Sequence, residues 1–423
     1  MKKNAKKKKK SNQAPSVSRQ RTLRLADVIE RNLFAFVMHE GMKALDEVLE
    51  QDRQELCGPT HGKGPHGAPV RWGHTDGRLV MGGQRVTVRR PRVRQDGKEV
   101  ALPAWADFAD EDPLDSRTFE QMVLGVSTRG YERSVETLPD ELDPHGGSKS
   151  AASRRFVGTT QAKLDAWLNR DLSELRIAVI MIDGIVVDDH TVLVALGIDE
   201  GGTKHPLGLW LGATENSKVC GELLDNLIER NLDGQREYLF AIDGSKALRK
   251  AIRERFGDRA RVQRCQEHKR RNVLGHLPKR LHPSVSKAMS DAYRSRSRAT
   301  AKKRLLQLAA QFGDDHPDAA ASLKEGLDET LTLKDMGLPT GLERTLSTTN
   351  PIENLNSTIR RVIRRVKRWR DGTMVKRWVG AGVLEAQRGF RRLRGYKGMP
   401  ILLAALSKHA EQIDRVDADE AAA

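Results

Sequence analysis

The stretch Ile177-Ala178-Val179-Ile180-Met181-Ile182-Asp183-Gly184 decides the fold of this 423-residue chain. Six consecutive apolar residues that end at an Asp-Gly pair are typical of a strand buried on both faces. A second apolar run, Tyr238–Ile242, also ends at an Asp-Gly pair, Asp243-Gly244. The sequence therefore predicts two buried parallel strands, each followed by a carboxylate.

The segments around these runs predict the order of the elements. Two more strands are predicted at Thr191–Ile198 and Leu207–Ala213, then a helix capped by Asn216 or Ser217, and a second helix from Ser245 to Phe256. Three strands as a meander, followed by helix, strand and helix, is the order of the ribonuclease H-like fold. The expected fold class is therefore α/β, with an inserted all-helical domain where residues 283–337 show an Ala- and Leu-rich pattern.

Asp183 and Asp243 are candidate metal ligands. An ionised carboxylate at the tip of a buried strand is costly, and two such groups close together resist joint ionisation. A divalent cation removes both problems, and Mg²⁺ prefers a few carboxylates together with water and phosphate oxygens. The alternative is that each aspartate begins a turn or caps the next element, as Asp-Gly pairs often do. The paired occurrence favours the metal.

Glu353 has two possible explanations. In Asn350-Pro351-Ile352-Glu353, asparagine suits the N-cap of a helix, proline its first position and glutamate its third. Glu353 then either caps this final long helix or supplies a third metal ligand, and spacing alone does not decide between them.

The segment after Glu353 is strongly basic. Seven cations in eleven residues interleave with Ile359, Ile363, Val366 and Trp369: Arg360, Arg361, Arg364, Arg365, Lys367, Arg368 and Arg370. This pattern predicts a helix from Ile359 to Trp369 with an apolar stripe and a basic face. A phosphate backbone would relieve the mutual repulsion of these cations.

The N-terminal region contains three segments of different composition. Residues 1–22 are lysine-rich and predict a disordered basic arm, whereas residues 23–49 show helical spacing that predicts a helix or a helix pair. In residues 57–99, glycines precede an alternation of apolar and basic residues from Arg85 to Arg94, which predicts a small β-hairpin with one basic face. The irregular set Cys57, His61, His66 and His74 gives only weak support for a zinc site.

Residues 116–168 predict a helix-turn-helix unit. Gly125-Val126-Ser127 supplies the turn, and Ser148 caps a longer helix that contains Lys149, Arg154 and Arg155 near its start. Recognition helices contact bases with residues in this position. The alternative is a helical subdomain with ordinary surface charges, but the net charge favours DNA binding.

Composition excludes several classes of protein. Lys and Arg number 74 against 57 Asp and Glu, so the net charge of +17 favours a polyanionic partner. An aromatic content of 4% argues against a surface built on stacked bases. Three cysteines do not make a disulfide framework, which indicates a reducing compartment. Neither a membrane-spanning stretch nor a secretory signal is present, so we expect a cytoplasmic, nucleoid-associated protein without a membrane partner.

Several of these stretches resemble the Mutator-type transposases of bacterial insertion sequences. The resemblance spans residues 70–395 and rests on Ile182-Asp183-Gly184, Ile242–Leu248, Cys265-Gln266-Glu267-His268, Thr349–Asn356, Gly125–Arg129 and Ser148-Lys149-Ser150. It implies a catalytic triad of Asp183, Asp243 and Glu353 that holds two Mg²⁺ ions, or Mn²⁺ as a substitute, with Asp183 between them. It also implies that Cys265 and His268 support the site; plain core packing is the alternative for Cys265.

The resemblance implies phosphoryl transfer on the terminal inverted repeats of an element, by a protein that is a homo-oligomer when assembled on DNA. The predicted organisation is a disordered basic arm (1–22), a helical and β-hairpin region (23–115), a helix-turn-helix-like DNA-binding domain (116–172), the first part of a ribonuclease H-like catalytic domain (173–282), a helical insertion (283–341), its second part with the basic helix (342–395) and a C-terminal tail (396–423). Two alternatives stay open: a catalytically silent DNA-binding regulator, and a structure-selective nuclease of the same fold.

Overall fold

A computed structural model describes residues 17–60, 67–109, 113–138, 142–313 and 315–422. The chain divides into two compact units, the first formed by Met1–Gln121 with Val126–Arg155 and the second by Met122–Gly125 with Phe156–Ala423. In the described ranges, no helix is long and apolar enough to cross a membrane.

The first unit combines helices with a three-stranded antiparallel sheet. It contains helix α1 (Val17–Cys57), strands β1 (Val70–Met81), β2 (Gln84–Gln95) and β3 (Lys98–Val100), and helices α2 (Pro103–Ala109) and α3 (Pro113–Leu124). Buried residues of β2, among them Val86, Val88 and Val93, form a core with Leu45 and Leu49 of α1. The predicted β-hairpin is therefore confirmed, and β3 extends it.

Two predictions for this unit are wrong. The predicted helix of residues 23–49 is confirmed as part of a single helix, α1, but this helix begins at Val17, so residues 17–22 do not belong to a disordered arm. Residues 1–16, His61 and His66 lie outside the described residues. The tight helix-turn-helix connection is also not formed: α3 ends at Leu124, and the next α-helix, α4, extends over Lys149–Leu168. Between them the described residues include a short 3-10 turn, Glu132–Ser134, but no α-helix, and Pro144 and the pair Gly146-Gly147 disfavour a helix just before α4.

The second unit contains a five-stranded mixed sheet. Its strands are β4 (Ile177–Val187), β5 (His190–Asp199), β6 (Lys204–Gly212), β7 (Tyr238–Ile242) and β8 (Ala260–Arg264), in the spatial order β6-β5-β4-β7-β8. The first three form an antiparallel meander, whereas β7 pairs in parallel with β4 and β8 in parallel with β7. The α/β class is confirmed; β8 was not predicted, because its arginines interrupt the apolar pattern.

Helices cover both faces of this sheet. Along β4, Ile180 and Ile182 face a core formed with α5 (Ser217–Glu229) and α6 (Lys246–Phe256). Val179 and Met181 face the opposite core, which contains residues of α4 and of three later helices: α12 (Asn350–Ile363), α13 (Gly372–Arg388) and α14 (Met399–Ala422). Asn216, one of the two predicted caps, caps α5, and Ser245 caps α6.

The residues between β8 and α12 are helical and contain no strand in their described part. They comprise α7 (Gln266–Gly275), α8 (His282–Tyr293), α9 (Arg298–Phe312), α10 (Pro317–Lys324), a 3-10 segment (Asp328–Met336) and α11 (Thr340–Leu346). Most of them share a separate core that includes Met289, Leu305 and Leu323. The helical pattern predicted for residues 283–337 is thus confirmed.

The predicted helix from Ile359 to Trp369 is wrong. Helix α12 ends at Ile363, a short connection follows, and Asp371 caps α13 through a 2.7 Å hydrogen bond from the Met374 N–H. Like charges one turn apart disfavour a helix, so the crowded cations end α12 early. Trp369 still packs against the core, as the apolar stripe suggests.

Close contact between α12 and α13 depends on a glycine. A Cβ atom on Gly382 would lie 2.8 Å from the Cα of Ile359, closer than two such atoms can approach. Because the obstacle is backbone, the two helices must separate to accept a larger residue.

We therefore expect Gly382→Ala to lower the free energy of unfolding by about 1–3 kcal/mol, the usual cost of overpacking. Gly158→Ala is the matched control, since Gly158 is an exposed residue of α4 and no heavy atom of the described chain comes within 4 Å of its added Cβ. That change should be neutral or stabilise by up to about 1 kcal/mol through helix propensity. Thermal unfolding of both variants measures the difference, and equal stability would contradict the packing argument.

Candidate active site

Asp183 and Asp243 occupy equivalent positions on two adjacent parallel strands. Met181 of β4 pairs with Ala241 of β7, and each aspartate lies two residues further along the chain. Because side chains alternate along a strand, both aspartates follow the side of Met181 and Ala241, which face the core that includes α12. The sheet register thus brings the two carboxylates to one place.

The predicted position of Asp183 at the end of its strand is wrong. Strand β4 continues to Val187 because β5 pairs with it along its whole length, through a tight turn at Asp188. Only the parallel pairing with β7 stops before Asp183. The carboxylate therefore lies where the neighbouring strand has ended and one side of β4 is open.

Both aspartates also make the local turn contacts that the alternative explanation predicts. Asp183 Oδ1 accepts a 3.0 Å hydrogen bond from the Gly184 N–H, and Asp243 Oδ1 accepts a 2.9 Å bond from the Ser245 N–H. Each contact uses one oxygen of the carboxylate. The turn and the ligand explanations are therefore compatible.

Helix α12 brings a polar side chain into contact with Asp183. Asn356, which is fully buried, donates a 2.7 Å hydrogen bond to Asp183 Oδ2. Glu353 lies one helical turn before Asn356, so both side chains lie on the same side of α12. The Asn356 Oδ1 atom is buried and has no hydrogen-bond partner among the described residues.

Glu353 does not cap its helix. The N-cap is Thr349 and not Asn350, because the helix begins one residue earlier than predicted, so Glu353 falls beyond the positions whose N–H groups are free. Its carboxylate instead accepts a 2.9 Å hydrogen bond from the Thr349 hydroxyl and lies 3.7 Å from His268 Nδ1 and 3.9 Å from Arg271. The capping explanation for this glutamate is wrong.

Cys265 and His268 lie beside Glu353. Cys265 is buried at the start of α7, and its Sγ atom accepts hydrogen bonds of 3.4 Å from both the N–H and the hydroxyl of Thr349. His268 Nδ1 lies 3.3 Å from the same hydroxyl. Cys265 thus packs in the interior and also contacts the residue that precedes the glutamate helix.

The site carries an excess of negative charge. Burial, together with the charge of Asp243, raises the pKa of Asp183, although the hydrogen bonds from Asn356 and Gly184 oppose the shift. The pKa of His268 is raised through its hydrogen bond with Cys265 and the charges of Cys265, Asp243 and Glu353. Two neighbouring carboxylates that resist joint ionisation form a place where a cation is favoured.

The donor set fits Mg²⁺. Asp183, Asp243 and Glu353 provide carboxylate oxygens, all partly exposed and so accessible to an ion and to substrate. Hard divalent cations prefer such oxygen ligands and keep part of their water shell. The unpartnered amide oxygen of Asn356 adds one more polar atom at the buried side of Asp183.

The predicted DNA-binding residues differ in solvent exposure and in whether they form ion pairs or hydrogen bonds within the protein. Arg360, Arg364, Lys367 and Arg368 are exposed and pair with no acid in the described ranges, whereas Arg361 lies 3.8 Å from Glu385 and Arg365 bonds to the Gly125 carbonyl. Near the start of α4, Lys149 and Arg154 are exposed. Arg155 is not: its side chain is 9% exposed, donates to the Gly146 carbonyl and lies 3.8 Å from Asp115.

Sequence reasoning missed two residues of the site, Thr349 and Asn356. Both belong to the motif around Glu353, but hydroxyl and amide side chains near a helix start usually indicate caps, so spacing gave no reason to single them out. Their contacts to Cys265 and Asp183 are tertiary. A buried asparagine three residues after a candidate ligand is the signal that could have found one of them.

Comparisons with known proteins agree with one another. The sequence profile described as "Transposase, Mutator family" matches residues 7–392. The chain is 27% identical to the transposase for insertion sequence element IS256 in transposon Tn4001 of Staphylococcus aureus, over 65% of this chain and 70% of that protein. It is 28% identical to the transposase for ISRM5 of Rhizobium meliloti (75% and 79%) and 30% identical to that for IS6120 of Mycolicibacterium smegmatis (56% and 72%).

Because the site carries an excess of negative charge, removing the charge of Asp183 should stabilise the metal-free protein. The pKa of Asp183 is higher in the folded protein than in the unfolded chain. Ionised Asp183 therefore lowers the free energy of unfolding by its full amount at a pH above the folded-state pKa, and this loss disappears as the pH falls below the unfolded-state pKa. Asp183→Asn should therefore raise the melting temperature of the metal-free protein at neutral pH, by about 2–4 °C for each kcal/mol relieved. The gain should shrink toward acidic pH.

Asp199→Asn is the control with the opposite sign. Although burial opposes it, hydrogen bonds from His205 and the Thr203 N–H hold the pKa of Asp199 below its usual value, so its charge stabilises the fold. That variant should melt at a lower temperature at neutral pH. Calorimetric melts from pH 4 to pH 8 test both, and a lower melting temperature for Asp183→Asn would contradict the account.

Proposed function

Since this chain belongs to the Mutator family of transposases, we propose that it binds the inverted repeats at the ends of an insertion sequence and cleaves and joins DNA strands at Asp183, Asp243 and Glu353. The observation that carries the proposal is the hydrogen bond that Asn356 donates to Asp183, because Asn356 belongs to α12, the helix that also contains Glu353, and the strand of Asp183 pairs in parallel with the strand that precedes Asp243. The three acids lie far apart in the sequence, so a shared site depends on the fold.

The second unit is, in this proposal, a ribonuclease H-like catalytic domain with a helical insertion. Three features support it: the strand order β6-β5-β4-β7-β8, the antiparallel meander that leads into parallel strands, and the separate helical core before α12. In this arrangement the insertion lies in the chain between the second and third carboxylates.

The three carboxylates hold Mg²⁺ or Mn²⁺. Bound there, the metal supplies an activated oxygen nucleophile and stabilises the charge on the leaving oxygen of the phosphodiester. Asn356 fixes the orientation of Asp183, and Thr349 fixes that of Glu353, so both acids present a defined oxygen to the ion. The attacking group is water and later a 3′-hydroxyl of DNA, so the chain needs no side-chain nucleophile.

DNA binding follows from charge and exposure. The net charge of +17 provides a general attraction to a phosphate backbone. The exposed cations of the segment 360–368 follow Glu353 in the chain and can hold DNA that enters the site. Lys149 and Arg154 form a second exposed pair, at the start of α4.

The first prediction concerns the triad. Asp183→Asn, Asp243→Asn and Glu353→Gln should each reduce Mg²⁺-dependent cleavage of end-bearing DNA by at least about a thousandfold, because each keeps its shape but removes a charge that the metal needs. Binding of the same DNA in Ca²⁺ should stay within a few-fold of the wild type. Glu343→Gln is a matched control, since Glu343 lies on α11 and pairs with Lys334.

The outcomes of this experiment separate the alternatives. Wild-type protein that binds ends but cleaves no DNA in Mg²⁺ or Mn²⁺ would indicate a silent regulator. Cleavage of branched DNA without strand joining would indicate a structure-selective nuclease. Full cleavage activity of Glu353→Gln would show that Glu353 is not a member of the catalytic triad.

The second prediction concerns the two exposed basic sets. Replacing Arg360, Arg364 and Lys367 by alanine should weaken the binding of end and random DNA alike. The slope of the logarithm of the binding constant against the logarithm of salt concentration should become shallower by about one unit for each phosphate that the variant no longer neutralises. Replacing Lys149 and Arg154 by alanine should instead reduce the ratio of the affinity for DNA that carries an element end to the affinity for random DNA. Binding curves at several salt concentrations on both duplexes measure this, and the reverse pattern would exchange the two roles.

A further inference from the structure

A second donor set, of different chemistry, adjoins the carboxylates. Cys265 Sγ, an imidazole nitrogen of His268 and a Glu353 carboxylate oxygen all lie within 4.8 Å of one another. Cys265 is the N-cap of α7 and His268 lies in its first turn, whereas Glu353 lies in the first turn of α12. Two helix starts thus bring a sulfur, a nitrogen and an oxygen donor together.

The hydroxyl of Thr349 lies among these three donors. Its Oγ1 atom is 3.4 Å from Cys265 Sγ, 3.3 Å from His268 Nδ1 and 2.9 Å from Glu353 Oε1, and Nδ1 is 3.7 Å from Oε1. Tetrahedral Zn²⁺ with bonds of about 2.0–2.3 Å needs donors roughly 3.3–3.8 Å apart. Three of these four separations already match, and the Thr349–Glu353 hydrogen bond must lengthen slightly.

The chemistry of the donors sets the metal preference of this cluster. Thiolate and imidazole are the ligands that select borderline metals such as Zn²⁺ over Mg²⁺. This donor set therefore differs in selectivity from the three carboxylates.

We propose that Cys265, His268, Glu353 and the Thr349 hydroxyl form a binding site for Zn²⁺ or a similar borderline divalent ion. Glu353 belongs to both this site and the oxygen site, so an ion held by the sulfur and nitrogen withdraws Glu353 from the carboxylates. Zn²⁺ thereby antagonises Mg²⁺. The antagonism rests on the proposed function, whereas the site itself does not.

Co²⁺ titration of the metal-free, DNA-free protein tests the site directly. Tetrahedral Co²⁺ bound by a thiolate gives intense visible bands and a sulfur-to-cobalt charge-transfer band in the near ultraviolet, and added Zn²⁺ should abolish both at equimolar concentration. Cys265→Ser should lose the charge-transfer band. Glu353→Gln should keep this band but weaken Co²⁺ affinity at least tenfold, as should His268→Asn.

The other two cysteines supply matched controls. Burial, with the charges of Glu215 and Asp243, raises the pKa of Cys220 to about 12, so Cys220 forms almost no thiolate at neutral pH; Cys57 lies in the other unit. Cys220→Ser and Cys57→Ser should leave the band unchanged. Thermal melts identify any variant that fails to fold, and the affinity losses of Glu353→Gln and His268→Asn test the site without Cys265.

DNA cleavage tests the consequence. Zn²⁺ should inhibit Mg²⁺-dependent cleavage, and the concentration for half inhibition should rise at least tenfold in Cys265→Ser relative to that variant's own activity without Zn²⁺. A cobalt spectrum without a charge-transfer band, or with one that survives Cys265→Ser, would overturn the site. A correct spectrum from protein that never cleaves DNA would instead leave the site standing and contradict the proposed function.

Discussion

The carboxylate of Asp183, held partly buried beside that of Asp243, is the constraint on which the candidate site depends. Parallel register between β4 and β7 brings the two acids together, and burial and repulsion make their joint ionisation costly. The hydrogen bond from Asn356 offsets a part of that cost and connects the sheet to α12. A fold that keeps such a pair carries a local instability that a bound cation would relieve.

Helix α12 connects the chemistry to the packing. Its first turns present Thr349, Glu353 and Asn356, its later residues pack into the core beneath the sheet, and Gly382 allows α13 to approach its backbone. The N-terminal end thus carries polar residues toward the strands, while the C-terminal end carries cations toward solvent. One helix therefore sets the position of the third carboxylate and of the exposed basic segment.

Local patterns predicted the parts of this molecule that local forces determine. The apolar run before Asp183 identified β4, and Asn216 was one of the two predicted caps of α5, because burial and capping depend on neighbouring residues. The predicted helix beyond Ile363 is wrong because the apolar periodicity there favours a helix, whereas repulsion between cations one turn apart disfavours it. The bond between Asn356 and Asp183 joins positions far apart in the chain, so no spacing rule could have found it.

The central claim is that three distant carboxylates form one site for a hard divalent cation. The most direct test is a crystal grown with Mn²⁺, with anomalous scattering used to locate the metal. The account predicts an anomalous peak bound by oxygens of Asp183, Asp243 and Glu353, next to the Asn356 amide. Manganese bound elsewhere, or a Glu353 side chain directed away from both aspartates, would contradict it.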